Sequence, residues 1–169
     1  MATMPPPPQA FEGWAHDPDP PPEATSIASV INALYSSVSR EPDADRFRRL
    51  CAPFARVMVT QRNDRDQARP IVLTVDEYLQ SVSDRFPESD VHEYETGRQV
   101  QQFGAIGHVI SAWVAVRDGA KSPIARGVNS MQLFHDGARW WLLSVLADIE
   151  REGAKIPDIL KQPGALPGA

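Results

Sequence analysis

The fold of this chain is decided by residues 104–150, which read GAIGHVISAWVAVRDGAKSPIARGVNSMQLFHDGARWWLLSVLADIE. Two turn signals, Asp118-Gly119 and Asp136-Gly137, divide this stretch into three segments rich in β-branched and aromatic residues. The predicted strands are residues 105–117, 124–135 and 139–149. The third segment is apolar at both parities, so we expect it to be covered on both faces. Helices from earlier in the chain are expected to provide one cover, and a second copy of the chain the other.

Three helices are predicted before this meander, because apolar residues recur there at helical spacing. They are residues 25–39, 43–52 and 74–86. The third opens on Thr74-Val-Asp-Glu77, which fits a capping box. A short strand is predicted at residues 55–61, a polar loop at 62–70, and a polar strand suited to a sheet edge at 91–103. The order α, α, β, α, β, β, β, β predicts an α+β fold with the helices gathered on one side of a curved sheet.

Composition narrows the classes of function. The 169 residues, 42% of them hydrophobic, suffice for one core. The net charge of -5 is spread along the chain without a basic stripe, and no apolar run reaches membrane length, so neither nucleic acid nor membrane is expected as a partner. The first residues, MATMPPPPQAFEGW, lack the pattern of a signal peptide, and a cytoplasmic location is expected.

The ends of the chain differ from its middle in composition. Proline-rich residues at the start predict a disordered arm, and recurrent Gly and Pro at the end predict a tail that docks one turn of helix. The expected anchors of the tail are Ile156, Ile159 and Leu160. The predicted divisions are an arm at 1–24, one domain at 25–150 and the tail at 151–169.

The order of elements, the segment CAPFARVMV and the closing hairpin MQLFHDGARWWLLSVLADIE resemble the NTF2-like superfamily, in particular its SnoaL-like bacterial branch. The resemblance spans residues 25–150. It implies a cone of strongly curved antiparallel sheet with the three helices on its concave side, a pocket inside and a homodimer through the outer face. The superfamily includes isomerases, cyclases, dehydratases, oxygenase subunits and proteins without known chemistry, so the fold does not decide the function. Ketosteroid-isomerase-like members carry a carboxylate base on the strand after the second helix, and residues 56–60 here contain no acid.

Strand register divides the side chains of the meander into two sets. A three-residue loop at 136–138 places Phe134 opposite Trp140 and Arg126 opposite Asp148. The first set contains the polar residues His108, Arg126, Ser130, Gln132, Ser144 and Asp148. The second, nearly dry set contains Val109, Ser111, Trp113, Asn129, Met131, Leu133, Trp141, Leu143, Val145 and Ala147. A ligand cavity needs a few polar groups and an obligate dimer face needs apolar area, so we predict the polar set in the pocket and the dry set in a homodimer. A slip of one residue in either turn would exchange the two faces.

Asp148 and His108 are the predicted catalytic residues. A carboxylate inside a hydrophobic cone can act as a general acid or base, with Arg126 tuning it or holding an anionic substrate. The same pair can equally be an ion pair that closes the end of the sheet. The imidazole can shuttle a proton near neutral pH or be simply hydrogen-bonded in place. The predicted ligand-binding residues are Arg126, Ser130, Gln132, Ser144, Trp140, Tyr35 and Tyr78, the two tyrosines being either cavity phenols or ordinary helix–sheet contacts.

Two functions agree with these features. One is a cofactor-free isomerase, cyclase or dehydratase that binds a small organic molecule in the cone. The other is a non-catalytic homodimeric module for ligand binding or assembly. No metal is expected, because Cys51 is the only cysteine and no two histidines have ligand spacing with a carboxylate. The first hypothesis gains if Asp148 and His108 open into one cavity without internal partners, and the second gains if they are saturated or lie on the outer face.

Overall fold

The computed structural model describes residues 17–39, 42–86 and 90–161. The helices in these ranges are α1 (Ile27–Ser37), α2 (Ala44–Leu50) and α3 (Val75–Arg85), with 3₁₀ turns at Pro22–Thr25 and Asp158–Leu160. The strands are β1 (Cys51–Arg62), β2 (Ala68–Thr74), β3 (Val91–Phe103), β4 (Ile106–Arg117), β5 (Ala125–His135) and β6 (Trp140–Ile149). They form one mixed sheet in the order β2-β1-β6-β5-β4-β3, in which β1 and β6 are parallel and all other neighbours are antiparallel. The predicted α+β class is confirmed. None of the helices in the described ranges is long and apolar enough to cross a membrane.

The helices begin where the sequence signals them. Ser26 and Asp43 cap α1 and α2, each accepting a hydrogen bond from the backbone N–H three residues further on. At α3 the hydroxyl of Thr74 accepts from the N–H of Glu77 at 3.2 Å, and the Glu77 carboxylate accepts from the N–H of Thr74 at 2.7 Å. The predicted capping box is therefore confirmed.

Strand β2 lies partly where a loop was predicted. It pairs with β1 at the edge of the sheet, and Pro70 lies opposite Thr60. An edge strand tolerates proline because the missing N–H would face away from the partner strand. The strand is short and runs directly into the cap of α3, so its period-2 pattern is too brief to be recognised in the sequence.

The helices cover one face of the sheet, which we call the inner face; the opposite face is the outer face. Val30 and Ile31 of α1 are fully buried and pack in one core with Val109 of β4 and Leu133 of β5. The turns that return the chain are the predicted ones, since Gly119 and Gly137 adopt positive φ angles of 74° and 103°. Only the inner face meets the helices, so its side chains form the main core.

The register between β4 and β5 is the predicted one. His108 lies opposite Gln132, and Val114 lies opposite Arg126. Because side chains alternate along a strand, the polar and dry sets of β4 and β5 lie on opposite faces.

The register between β5 and β6 differs from the prediction through a longer loop and a bulge. The loop contains residues 136–139 instead of 136–138, so Trp140 lies opposite His135 instead of Phe134. The bulge then skips Leu143, so Ser144 lies opposite Gln132. Pairing with His135 puts the Trp140 ring on the inner face, where it is 6% exposed and, like Ile27, lies close to Gly107. Trp140 is therefore a core residue, and its predicted position beside the polar set is wrong.

The described part of the predicted arm is packed onto the domain. Asp17 accepts a hydrogen bond of 2.9 Å from Arg139, whose side chain is 1% exposed, and Ala24 is also buried. Asp17 and Ala24 are therefore packed against the rest of the described chain, where a disordered arm was predicted, and the division of the chain into domains stays a prediction. Residues 1–16 of the predicted arm lie outside the described residues.

The segment after β6 docks on the outer face. Ile156 and Leu160 are buried against Ala112 of β4, while Ile159 is 55% exposed. One 3₁₀ turn, Asp158–Leu160, forms at this point. Residues 162–169 of the predicted tail lie outside the described residues.

Candidate functional site

A cavity of about 710 Å³ lies between the inner face and the helices. All six strands contribute to its wall, together with all three helices. Its apolar lining includes Leu34, Val57, Leu79, Phe86, Met131 and Val145. Several lining residues are exposed, among them Gln61, Ser83, Arg85, Ile124 and Ile149, so the cavity is open to solvent. This size and lining are typical of a site for a small organic molecule.

The cavity borders the face that was predicted to be the dimer face. Trp113, Asn129, Met131, Val145 and Ala147 of the dry set line it, whereas no member of the polar set does. The prediction of which face lines the pocket is therefore wrong, and the dry set is not free to form a dimer face. The physical reason is that an antiparallel sheet covered on one side turns its apolar residues towards the helices and its polar residues towards water. Homodimerisation itself stays a prediction.

Asp148 lies on the outer face, and both oxygens of its carboxylate accept hydrogen bonds. Oδ1 accepts from the Thr60 hydroxyl at 2.5 Å and from the Ile149 N–H at 2.9 Å, and Oδ2 accepts from Arg151 at 2.9 Å. Partial burial acts to raise its pKa, but these hydrogen bonds outweigh burial and hold the pKa below its ordinary value. Its strand neighbour is Val128, not the predicted arginine. The geometry is that of a structural acceptor.

The other polar predictions form small surface contacts. His108 Nε2 lies 3.1 Å from the Ser130 hydroxyl, and Ser144 donates to Gln132 at 3.4 Å. Arg126 is exposed. The structure thus pairs His108 with Ser130 and Gln132 with Ser144, and neither pair includes the predicted carboxylate.

Tyr35 lines the cavity and belongs to a buried hydrogen-bond chain. Its hydroxyl lies 2.7 Å from Ser111 Oγ and accepts from Asn129 Nδ2 at 3.1 Å. Ser111 donates to Glu95 Oε1 at 2.5 Å, and Glu95 Oε2 accepts from Arg98. Burial raises the pKa of Tyr35, so the phenol stays neutral in the physiological range.

Glu93 is the residue that sequence reasoning missed. It projects from β3 into the cavity wall, and its carboxyl has no hydrogen-bond or ion-pair partner within the described ranges. Burial raises its pKa to about 7. Tyr78 lines the same cavity, and burial, followed by the charge of Glu93, raises the pKa of its phenol. A carboxyl that titrates near neutral pH is suited to act as a general acid and a general base.

Trp113 forms part of the same wall. Its indole lies flat against Gly127, where an added Cβ would come within 2.5 Å of Trp113 Cζ2. Gly127 therefore provides the space that the indole occupies. The indole Nε1 is buried and has no hydrogen-bond partner among the described residues.

No described residues form a metal site or a reactive thiol. Within the described ranges no group of three His, Cys, Asp or Glu side chains is placed to hold a metal ion. Burial raises the pKa of Cys51 to about 12, so its thiol is protonated at neutral pH.

The architecture defines the NTF2-like fold, also described as cystatin-like. No family model matches the sequence, and no curated protein sequence has a significant match to it. Solved structures do match. One is a protein of unknown function with a cystatin-like fold from Nostoc punctiforme, with 10% identity, a TM-score of 0.59, and coverage of 73% of this chain and 88% of that chain. Another is a provisionally assigned dehydratase of the NTF2-like family from Streptomyces avermitilis, with 14% identity, a TM-score of 0.54, and coverage of 73% and 93%. A third is an NTF2-like protein of unknown function from Shewanella oneidensis, with 14% identity, a TM-score of 0.55, and coverage of 72% and 95%. At these identities the likeness establishes the fold.

Proposed function

We propose that the protein is a SnoaL-like member of this fold whose cavity binds an uncharged, mainly apolar organic molecule, and that Glu93 moves a proton on that molecule. The observation that carries the proposal is an unpartnered carboxyl facing an apolar cavity. Isolating a carboxyl in this way raises the free energy of the folded protein above neutral pH, a cost that a catalytic role explains. The provisional dehydratase assignment of one structural neighbour is consistent with such chemistry.

The reaction class follows from what one carboxyl can do. The carboxylate takes a proton from a carbon next to a carbonyl group, and the carboxyl then returns that proton to the same molecule. Return to another carbon gives an isomer; return to a hydroxyl that leaves gives a double bond and water. Neither route consumes a co-reactant. The Tyr78 hydroxyl, which has no hydrogen-bond partner within the described ranges, is available to stabilise the intermediate enolate.

A generic proton-abstraction probe tests the proposal. When a base removes the ring proton of 5-nitrobenzisoxazole, the N–O bond breaks and a coloured cyanonitrophenolate forms without any other reactant. We expect the wild-type protein to accelerate this reaction, with a rate that rises through about pH 7. Glu93→Gln should abolish the acceleration, and Asp148→Asn, the matched outer-face control, should leave it unchanged. Wild-type rates equal to buffer, or equal rates in wild type and Glu93→Gln, would refute proton transfer at Glu93.

The alternative is a non-catalytic ligand-binding or assembly module of the same fold. The position of Asp148 and His108 on the outer face favours it, because the acid–base pair expected from the sequence does not reach the cavity. This alternative predicts ligand binding with no turnover of the probe, and equal binding by Glu93→Gln.

A further inference from the structure

A continuous hydrogen-bond chain connects the rim of the protein with the cavity. Its members in order are Arg98, Glu95, Ser111, Tyr35 and Asn129. The outer end is fixed, because Arg98 also donates to the α1 backbone at Ala28. The middle is buried, with Ser111 fully inaccessible and Tyr35 8% exposed. The inner end, Asn129, lines the cavity.

The chemistry of these groups fixes the direction of every hydrogen bond. The Glu95 carboxylate, ion-paired with Arg98, can only accept, so Ser111 gives it its single hydroxyl hydrogen. Ser111 must then accept from Tyr35, which uses the single hydrogen of the phenol. The phenol oxygen is left as an acceptor, and Asn129 must turn its Nδ2 towards it.

This orientation leaves the other end of the Asn129 amide facing the cavity. Oδ1 accepts no hydrogen bond from the described residues, and it is not among the buried polar atoms without a partner. We infer that Asn129 selects the ligand by accepting a hydrogen bond from a hydroxyl or N–H group of the bound molecule, and that the chain from Arg98 to Tyr35 is its positioning device. The inference rests on the proposed function, since it requires a ligand in this cavity.

The inference narrows the ligand class. An apolar molecule that carries a hydroxyl or N–H donor, such as a phenol, an alcohol or an enol, satisfies Oδ1. A molecule of the same shape that has hydrogen-bond acceptors but no donor leaves Asn129 Oδ1 desolvated and without a hydrogen bond, which weakens binding about tenfold.

Two naphthalene probes of similar shape test this preference by calorimetric titration. We expect 2-naphthol to bind the wild-type protein about tenfold more tightly than 2-methoxynaphthalene, because only the first can donate. Asn129→Leu should bring the two affinities to within about twofold. If Asn129→Leu kept the full preference for 2-naphthol, the hydroxyl of the probe would be assigned to Glu93 as its hydrogen-bond acceptor, and the inference would be overturned.

Glu95→Gln tests the positioning role by reversing the chain. The carbonyl oxygen of the introduced glutamine still accepts from Arg98, so the NH₂ group of the same side chain donates to Ser111. The hydroxyls of Ser111 and Tyr35 then each donate in the opposite direction along the chain. The Asn129 amide then presents Nδ2 to the cavity, and the ratio of the two affinities should fall to about one or below. If Glu95→Gln only disturbed the structure, it would weaken the binding of both probes equally and leave the ratio of their affinities at the wild-type value. That result would overturn the positioning role. Equal binding of both probes by wild type would overturn this inference alone, whereas no binding of either would overturn the proposed function with it.

Discussion

Glu93 and Asp148 are both carboxylic acids on strands of one sheet, and the two faces of that sheet give them opposite properties. Glu93 faces the apolar cavity without a partner in the described ranges, and burial raises its pKa to about 7. Asp148 faces outwards, where a hydroxyl, an N–H and a guanidinium hold its pKa below the ordinary value despite partial burial. The comparison shows that the candidate acid–base group is identified by what its side chain lacks, since hydrogen-bond donors and a guanidinium hold a carboxylate in its ionised form, whereas burial without such partners favours the protonated form.

The largest expected effect concerns the pH dependence of stability. The folded protein holds the Glu93 proton more tightly than the unfolded chain, because the pKa is about 7 against an ordinary 4.5. The free energy of unfolding should therefore decrease by about 3 kcal/mol as the pH rises from 4.5 to above 7. Glu93→Gln should flatten this decrease and be more stable than wild type at pH 8, as measured by urea unfolding at several pH values. The same pH dependence of the free energy of unfolding in wild type and Glu93→Gln would contradict a raised pKa of Glu93.

A second prediction compares adjacent residues of β6 on opposite faces. Ala147 lines the cavity, and Leu146 is 41% exposed on the outer face. Ala147→Trp should weaken 2-naphthol binding about tenfold or more, because the indole fills ligand space, and Leu146→Trp should leave binding within about twofold. Calorimetric titration measures both. Weakened binding in the Leu146 variant alone would place the ligand on the outer face.

The smallest expected effect is at Asp148. Asp148→Asn should destabilise the protein by about 1 kcal/mol at pH 7, since the three hydrogen bonds that the carboxylate accepts are weakened or lost at a partly exposed site. The lowered pKa means that this contribution exists above the ordinary pKa and is lost as the pH falls through the folded-state value. The difference between the variant and wild type should thus shrink in acid unfolding experiments. A difference that grows towards low pH would contradict the assignment of Asp148 as an ionised structural acceptor.

The elements of this fold could be predicted because their signals are local. The Asp-Gly turns, the capping box at Thr74 and the helical stripes depend on neighbouring residues, and the structure confirms them. The bulge at Leu143 could not be predicted, because it depends on how two strands meet. The loop at 136–139, one residue longer than predicted, puts Trp140 in the core, and the bulge keeps Ser144 and Asp148 on the outer face.

The prediction of the candidate site was wrong for a different reason. The prediction placed polar residues in the pocket, whereas the sheet keeps its apolar side towards the helices. Extending the strand register by one more strand would have found the missing residue: Glu93 pairs with Ala115 and Glu95 with Trp113, so two acids of the polar strand lie on the dry face. An acid at such a position is the signal in the sequence, and it is visible only after β3 is paired with β4.

The docked segment after β6 has a consequence for assembly. Ile156 and Leu160 cover Ala112 in the middle of the outer face, and Ile110 and Val128 pack against them. A second protein that packs across this face would compete with residues 156–160 for the same apolar area. Self-association through the centre of this face would then require release of residues 156–160.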